Sequence, residues 1–159
     1  MKLYVEDIKR LNPAEILREV GRPDVIIGGP PCEPFTAINP RRRERAIDRL
    51  YRDPIGRLVL YFIRFVEVIR PEIFVMEQVP QIMELEDALR REFKKAGYDV
   101  HFNILNALDY GVPQVRRRVF VSNVEIRPKS VKGKRAVWEA IRDVPPMLRT
   151  TSPGSPVVG

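Results

Sequence analysis

Two short β-branched and apolar runs, Asp24-Val-Ile-Ile-Gly28 and Ile73-Phe-Val-Met76, flank a stretch with helical periodicity. The first enters a Gly/Pro cluster and the second follows Pro71, which is how buried strands are punctuated. Leu58, Tyr61, Phe62, Phe65, Val66 and Ile69 between them lie on one helical face until Pro71 ends it. Asn12-Pro13 reads as an N-cap and first helical position, opening an earlier helix that Gly21 and Pro23 stop. Leu85, Leu89 and Phe93 mark a further helix ending near Gly97, and Val137-Trp138-Ile141 a short last one. Tyr98 to Leu105 and Val119 to Val124 read as two more strands around a turn with Gly111 and Pro113. Such alternation predicts an α/β sheet with both faces covered. In that architecture ligands bind at the carboxyl ends of the strands.

At 159 residues the chain has the length of one domain. Its 44% hydrophobic and 31% charged residues exclude a disordered, collagenous or disulfide-scaffold chain. A single cysteine forms no internal disulfide, and no apolar run approaches the ~20 residues of a membrane span. The N-terminus lacks an apolar signal region, so the expected compartment is the reducing cytoplasm, with no membrane partner. The charge of +7 favours a polyanionic partner. Arg41 to Arg52 reads as a charged, mobile stretch, and 145–159 as a Pro/Ser/Gly-rich extended tail.

Three segments carry the chemistry. Gly28-Gly-Pro-Pro-Cys32 follows the first strand: two glycines permit close approach to a ligand, and two prolines stiffen the loop. A lone cysteine reads as inert when buried, but at the tip of such a loop it reads as a nucleophile. Glu77 follows the second strand, where desolvation would raise its pKa toward a general acid; capping the next helix is its other reading. In Gln114-Val-Arg-Arg-Arg118, strand alternation would put Gln114, Arg116 and Arg118 on one side, lining a site or a solvated face.

Together these segments resemble the DNA (cytosine-5) methyltransferase family over nearly the whole chain. Gly28 to Cys32 with Phe35 and Thr36 is similar to the family's P-P-C-Q-x-F-S. Phe74 to Val79 resembles F-V-x-E-N-V, Gln114 to Arg118 matches Q-x-R-x-R, and Val137 to Pro146 resembles the stretch closing the catalytic region. The resemblance implies an incomplete Rossmann-like, S-adenosylmethionine-dependent fold at 1–144 and the start of a target-recognition region at 145–159. It implies that Cys32 attacks carbon 6 of a cytosine flipped out of double-stranded DNA. Glu77 would protonate ring nitrogen 3, Arg118 would contact the exocyclic oxygen, and Arg116 would brace the Pro-Cys loop. Carbon 5 then takes the methyl group and Cys32 is released. No metal enters this chemistry. Glu6-Asp7-Ile8 resembles the family's G-D-I, placing Asp7 and Ile8 near adenine, and Pro31 and Leu58 match positions near the methionine part; Asp7 also reads as a surface carboxylate. Between Pro40 and Arg57 lies the counterpart of the family's mobile loop, whose Arg41, Arg42, Arg43, Arg45 and Arg49, with Gln114, would meet DNA; the arginines also read as a solvated basic helix.

Some positions depart from the pattern. Glu33 replaces Gln, Gln78 replaces the Asn after the catalytic Glu, and Ile55 replaces the Arg of D-x-R-G-x-L. No Gly-rich F-x-G-x-G segment precedes Asp7, and the target-recognition region and last motifs do not follow Pro146. The remaining strands are therefore expected to leave a gap and unpaired edges, and the enzyme to need a second subunit or self-association. A transfer RNA cytosine-5 methyltransferase and a non-catalytic DNA-binding remnant are the competing readings. The expected setting is a cytoplasmic, nucleoid-associated protein of a prokaryote.

Overall fold

A computed structural model describes residues 2–133 and 135–143. Helix α1 (Pro13–Val20) begins where the Asn12 side-chain oxygen accepts from Ala14 N at 3.1 Å, and it ends at Gly21 with φ +81°. Strand β1 (Val25–Gly28) is followed by the Gly/Pro loop and then by α2 (Ala46–Tyr51). Helix α3 (Leu58–Ile69) buries Val59, Phe62, Ile63, Val66 and Ile69 and stops at Arg70, before Pro71. Strand β2 (Ile73–Gln78), a 3-10 segment (Pro80–Leu85) and α4 (Glu86–Lys95) come next. Strands β3 (His101–Asn106) and β4 (Arg117–Ser122) complete the sheet.

The strand order is β1-β2-β4-β3, with β1 parallel to β2 and the other two pairings antiparallel. The expected gap is not there: β2 pairs with β1 on one side and β4 on the other, so the four strands are contiguous. Among the described residues the free edges lie at β1 and β3.

Alternation along β2 decides which side is the core. Phe74, Met76 and Gln78 are buried, whereas Ile73, Val75 and Glu77 are half-buried. Phe74 stacks on Phe93 of α4 at 4.8 Å between centroids and meets Tyr98 edge-on at 5.3 Å. Phe62, Val66, Leu89, Val119 and Val121 close the same core. Among the described residues of this unit the opposite face, expected to be covered, stays open: register places Val25 beside Ile73 and Ile27 beside Val75, and Ile27 is 77% exposed. The helices of this unit therefore bury one face of the sheet.

The stretch expected to be mobile contains α2, whose Arg49 and Leu50 are buried. The run 114–118 is not all strand either. Residues through Arg116 belong to the reversal that Gly111 (φ +85°) and Pro113 impose, and β4 begins only at Arg117.

Two compact units divide the chain: 2–106 with 117–128, which holds the sheet, and 107–116 with the described residues from 129 onward. In the second, the 3-10 turn Ala107–Tyr110 is closed by Ala107 N donating to the Arg116 carbonyl at 3.0 Å. Val131 N is tied to the Asp109 carbonyl at 3.0 Å. A short helix, α5 (Val137–Ile141), ends the described residues, and the expected tail 145–159 lies outside them. Among the described residues no helix is long and apolar enough to cross a membrane.

Candidate active site

The carboxyl ends of β1 and β2 lie side by side, Gly28 level with Met76. The loop leaving β1 must therefore pass the last residues of β2. At Gly28 a Cβ would stand 2.5 Å from the Phe62 ring, so only glycine lets the chain through. At Gly29 a Cβ would come within 3.7 Å of Glu77 Oε2, which puts the loop against that carboxylate. Pro30 and Pro31 follow, then Cys32, half-buried against the core. The Cys32 carbonyl accepts from Phe35 N at 2.9 Å and Thr36 N at 3.0 Å, and fully buried Phe35 anchors the turn.

Glu77 sits on the open side of β2. Its Oε1 accepts from Arg118 Nε at 2.8 Å, the side chains being 38% and 24% exposed. Arg118 Nη1 also donates to the Arg117 carbonyl at 2.8 Å. The surroundings differ from the desolvated pocket expected for Glu77: its partner is a cation and it keeps contact with solvent. Arg118 is held in β4 opposite Leu105, which fixes the origin of its side chain.

The other expected residues are distributed unequally. Ile8, Pro31 and Leu58 come together, lining with Gly28, Gly29, Pro30 and Phe62 a cleft of about 220 Å³ beside the Pro-Cys loop. Asp7 does not line it. Its carboxylate accepts from Lys9 N at 3.0 Å and pairs with Lys9 Nζ at 3.1 Å, and that backbone bond leads the causes holding its pKa below the usual 3.8. Arg41, Arg43 and Arg45 are exposed, whereas Arg42 turns inward, 3.5 Å from the Phe35 carbonyl and 3.9 Å from Glu84. Gln114 and Arg116 are exposed residues of the second unit.

Arg49 departs most from expectation. Read as a phosphate contact, it is 3% exposed and bonds inward. It donates to the carbonyls of Arg43 (2.6 Å) and Glu44 (2.7 Å) and to Glu84 Oε2 (2.7 Å). The base of the arginine loop is thus tied to the 3-10 segment after β2. Two further residues had structural roles that spacing did not reveal. Asp53 Oδ1 accepts from Ile55 N and Gly56 N, both at 2.9 Å, and so closes the turn that leads into α3. Gln78, seen in the sequence only as a departure, is fully buried beneath the Pro-Cys loop.

The family model for C-5 cytosine-specific DNA methylase matches residues 2–139. The chain belongs to this family. A relative from Methanocaldococcus jannaschii, carrying the name of a type II methyltransferase, is 52% identical over 142 residues, covering 87% of this chain and 38% of its own length. A second from the same organism is 46% identical and is covered over 48% of its length. The type II methyltransferase M.DdeI of Desulfomicrobium norvegicum is 39% identical over 128 residues, 76% of this chain and 29% of that protein. The chain thus spans less than half the length of these curated relatives. Among solved structures, a DNA modification methyltransferase encoded within an E. coli prophage superposes with a TM-score of 0.66 at 26% identity, over 89% of this chain and 41% of that one. Methylases of this family take the methyl group from S-adenosylmethionine.

The cleft offers a partial fit to that cofactor. Ile8, Pro31, Leu58 and Phe62 give a narrow apolar lining suited to a flat adenine ring or the carbon skeleton about a sulfonium, while the carboxylate of Asp7 is turned to Lys9.

Proposed function

We propose that this chain carries the cytosine-activating half of a DNA (cytosine-5) methyltransferase site. The observation that supports it most is the Pro-Cys loop lying against Glu77 while Arg118 grips the same carboxylate. Cys32 Sγ, as thiolate, adds to carbon 6 of a flipped cytosine. Glu77 holds a proton at ring nitrogen 3, which takes up the charge that addition creates, and Arg118 bonds the exocyclic oxygen. When bound against Ile8, Pro31 and Leu58, S-adenosylmethionine supplies an electrophilic methyl group for carbon 5. Loss of the carbon 5 proton to solvent then re-forms the ring double bond and expels Cys32 as thiolate. Arg116 is assigned as a further catalytic residue; Arg41, Arg43, Arg45 and Gln114 to the DNA, Arg42 joining them on release from Glu84.

The working enzyme is read as this chain with a second methyltransferase polypeptide, acting on double-stranded DNA of the nucleoid. One feature supports the partner: the β1 edge, which is unpaired among the described residues and carries exposed Val25 and Ile27. The test is covalent trapping on a duplex containing 5-fluorocytosine, with S-adenosylmethionine, alone and with a chain supplying a Gly-rich cofactor segment. We expect an adduct with the complementing chain, none with Cys32→Ser, and no turnover by this chain alone. Absence of any adduct in both conditions would overturn the catalytic reading. Robust methyl transfer by the 159-residue chain alone would overturn the need for a partner.

A further inference from the structure

Resting on the reading of Cys32 as nucleophile, we propose that Gln78 is a positioning residue that fixes the Pro-Cys loop through the Pro30 carbonyl. Consecutive prolines remove the backbone donors of positions 30 and 31, so the loop cannot be tied down there through its own N–H groups. Its attachment must use an acceptor. The Gln78 side chain provides the donor: Nε2 lies 2.6 Å from the Pro30 oxygen. The orientation of the amide is set at its other end, where Oε1 accepts from Val79 N at 3.3 Å. Gln78 is 0% exposed, and no buried side-chain polar atom among the described residues lacks a partner. Water therefore does not compete for this bond.

The placement follows from strand alternation. Glu77 and Gln78 are neighbours whose side chains leave β2 on opposite faces. Glu77 meets the loop at Gly29 from the open side, and Gln78 meets it at Pro30 from the core. The loop is thus approached from the open side three residues before Cys32 and hydrogen-bonded from the core side two residues before it. The extra methylene of glutamine is what lets the amide span this distance: an asparagine here would fall short by ~1.5 Å, beyond hydrogen-bonding range.

The experiment reads the thiol directly and needs neither DNA nor S-adenosylmethionine, so it succeeds or fails apart from methyl transfer. Cys32 is the only cysteine, and its iodoacetamide alkylation is followed across pH on the full chain. The plateau at high pH, where the thiol is fully ionised, reports access together with the intrinsic nucleophilicity of the thiolate. Gln78→Met keeps the length and removes the donor; it should raise that plateau roughly tenfold, with Gln78→Asn raised likewise. Ser122→Ala removes an equally buried bond of the same sheet, Oγ to the Phe74 carbonyl at 2.6 Å, and should leave the plateau within about twofold. Should Gln78→Met not fold, Gln78→Asn is compared with Ser122→Ala in its place. A plateau unchanged in the folded Gln78 variants, or raised equally in Ser122→Ala, overturns the proposal.

Discussion

Arg49 shows how a residue's role turns on burial. In the sequence it is one cation in a run of arginines, and a run of that kind reads as surface. In the structure its guanidinium serves two backbone carbonyls and Glu84, while its main chain crowds position 56, where a Cβ would lie 1.8 Å from the Arg49 carbonyl oxygen. Periodicity could not reveal this, because the acceptors come from residues that are not on its helix. Gln78 escaped for the same reason, since its partner Pro30 is 48 residues away. That the loop carrying Cys32 lies beside Glu77, and Glu77 beside Arg118, was legible because their motifs form a constellation that few structural roles require. Arg49→Ala leaves two carbonyls without donors and should destabilise the chain by about 2–3 kcal/mol in urea titration. Arg49→Lys should recover little of it, since one ammonium cannot match the guanidinium's fork across three acceptors.

Elements with terminal punctuation were read closely. Asn12-Pro13 and Gly21 bound α1, and Pro71 ends α3, because capping and ring sterics act locally. The start of β4 was misplaced because pairing with β3, a tertiary event, decides where the reversal ends. Helix α2 entered only as the alternative of a solvated basic helix, because six residues offer too little periodicity. Its place is secured from outside by Tyr51 Oη, which donates to Glu92 Oε1 of α4 at 2.7 Å. Burial, then the bond to Glu92, push the Tyr51 pKa up from 10.0 to about 12. Burial opposes ionisation of Glu92, but hydrogen bonds from Lys95 and Tyr51 outweigh it and hold its pKa below 4.5. A raised folded-state pKa means that the neutral phenol's contribution is complete below pH 10 and is lost as pH rises through about 12. With Tyr51 38% exposed, solvent screening keeps this below about 1 kcal/mol. Comparing unfolding of wild type and Tyr51→Phe should give a constant difference at neutral pH that shrinks between pH 10 and 12.

At the scale of the whole molecule, β2 is the strand on which everything else is aligned. It is paired on both flanks, and both partners are remote: Val25 with Ile73 on one side, Val75 with Ser122 on the other. By contrast β3 and β4 join through a single reversal. Closing long loops costs entropy before any contact returns it, so folding time is set by β2 finding its flanks. Pulsed hydrogen exchange during refolding should protect amides of the β3–β4 ladder before those of β1–β2; simultaneous protection would refute this order. Cys32 hangs from β1, whereas the carboxylate and amide that address its loop belong to β2. A chain caught before that last pairing displays its thiol undirected, and the site comes into being only as folding finishes.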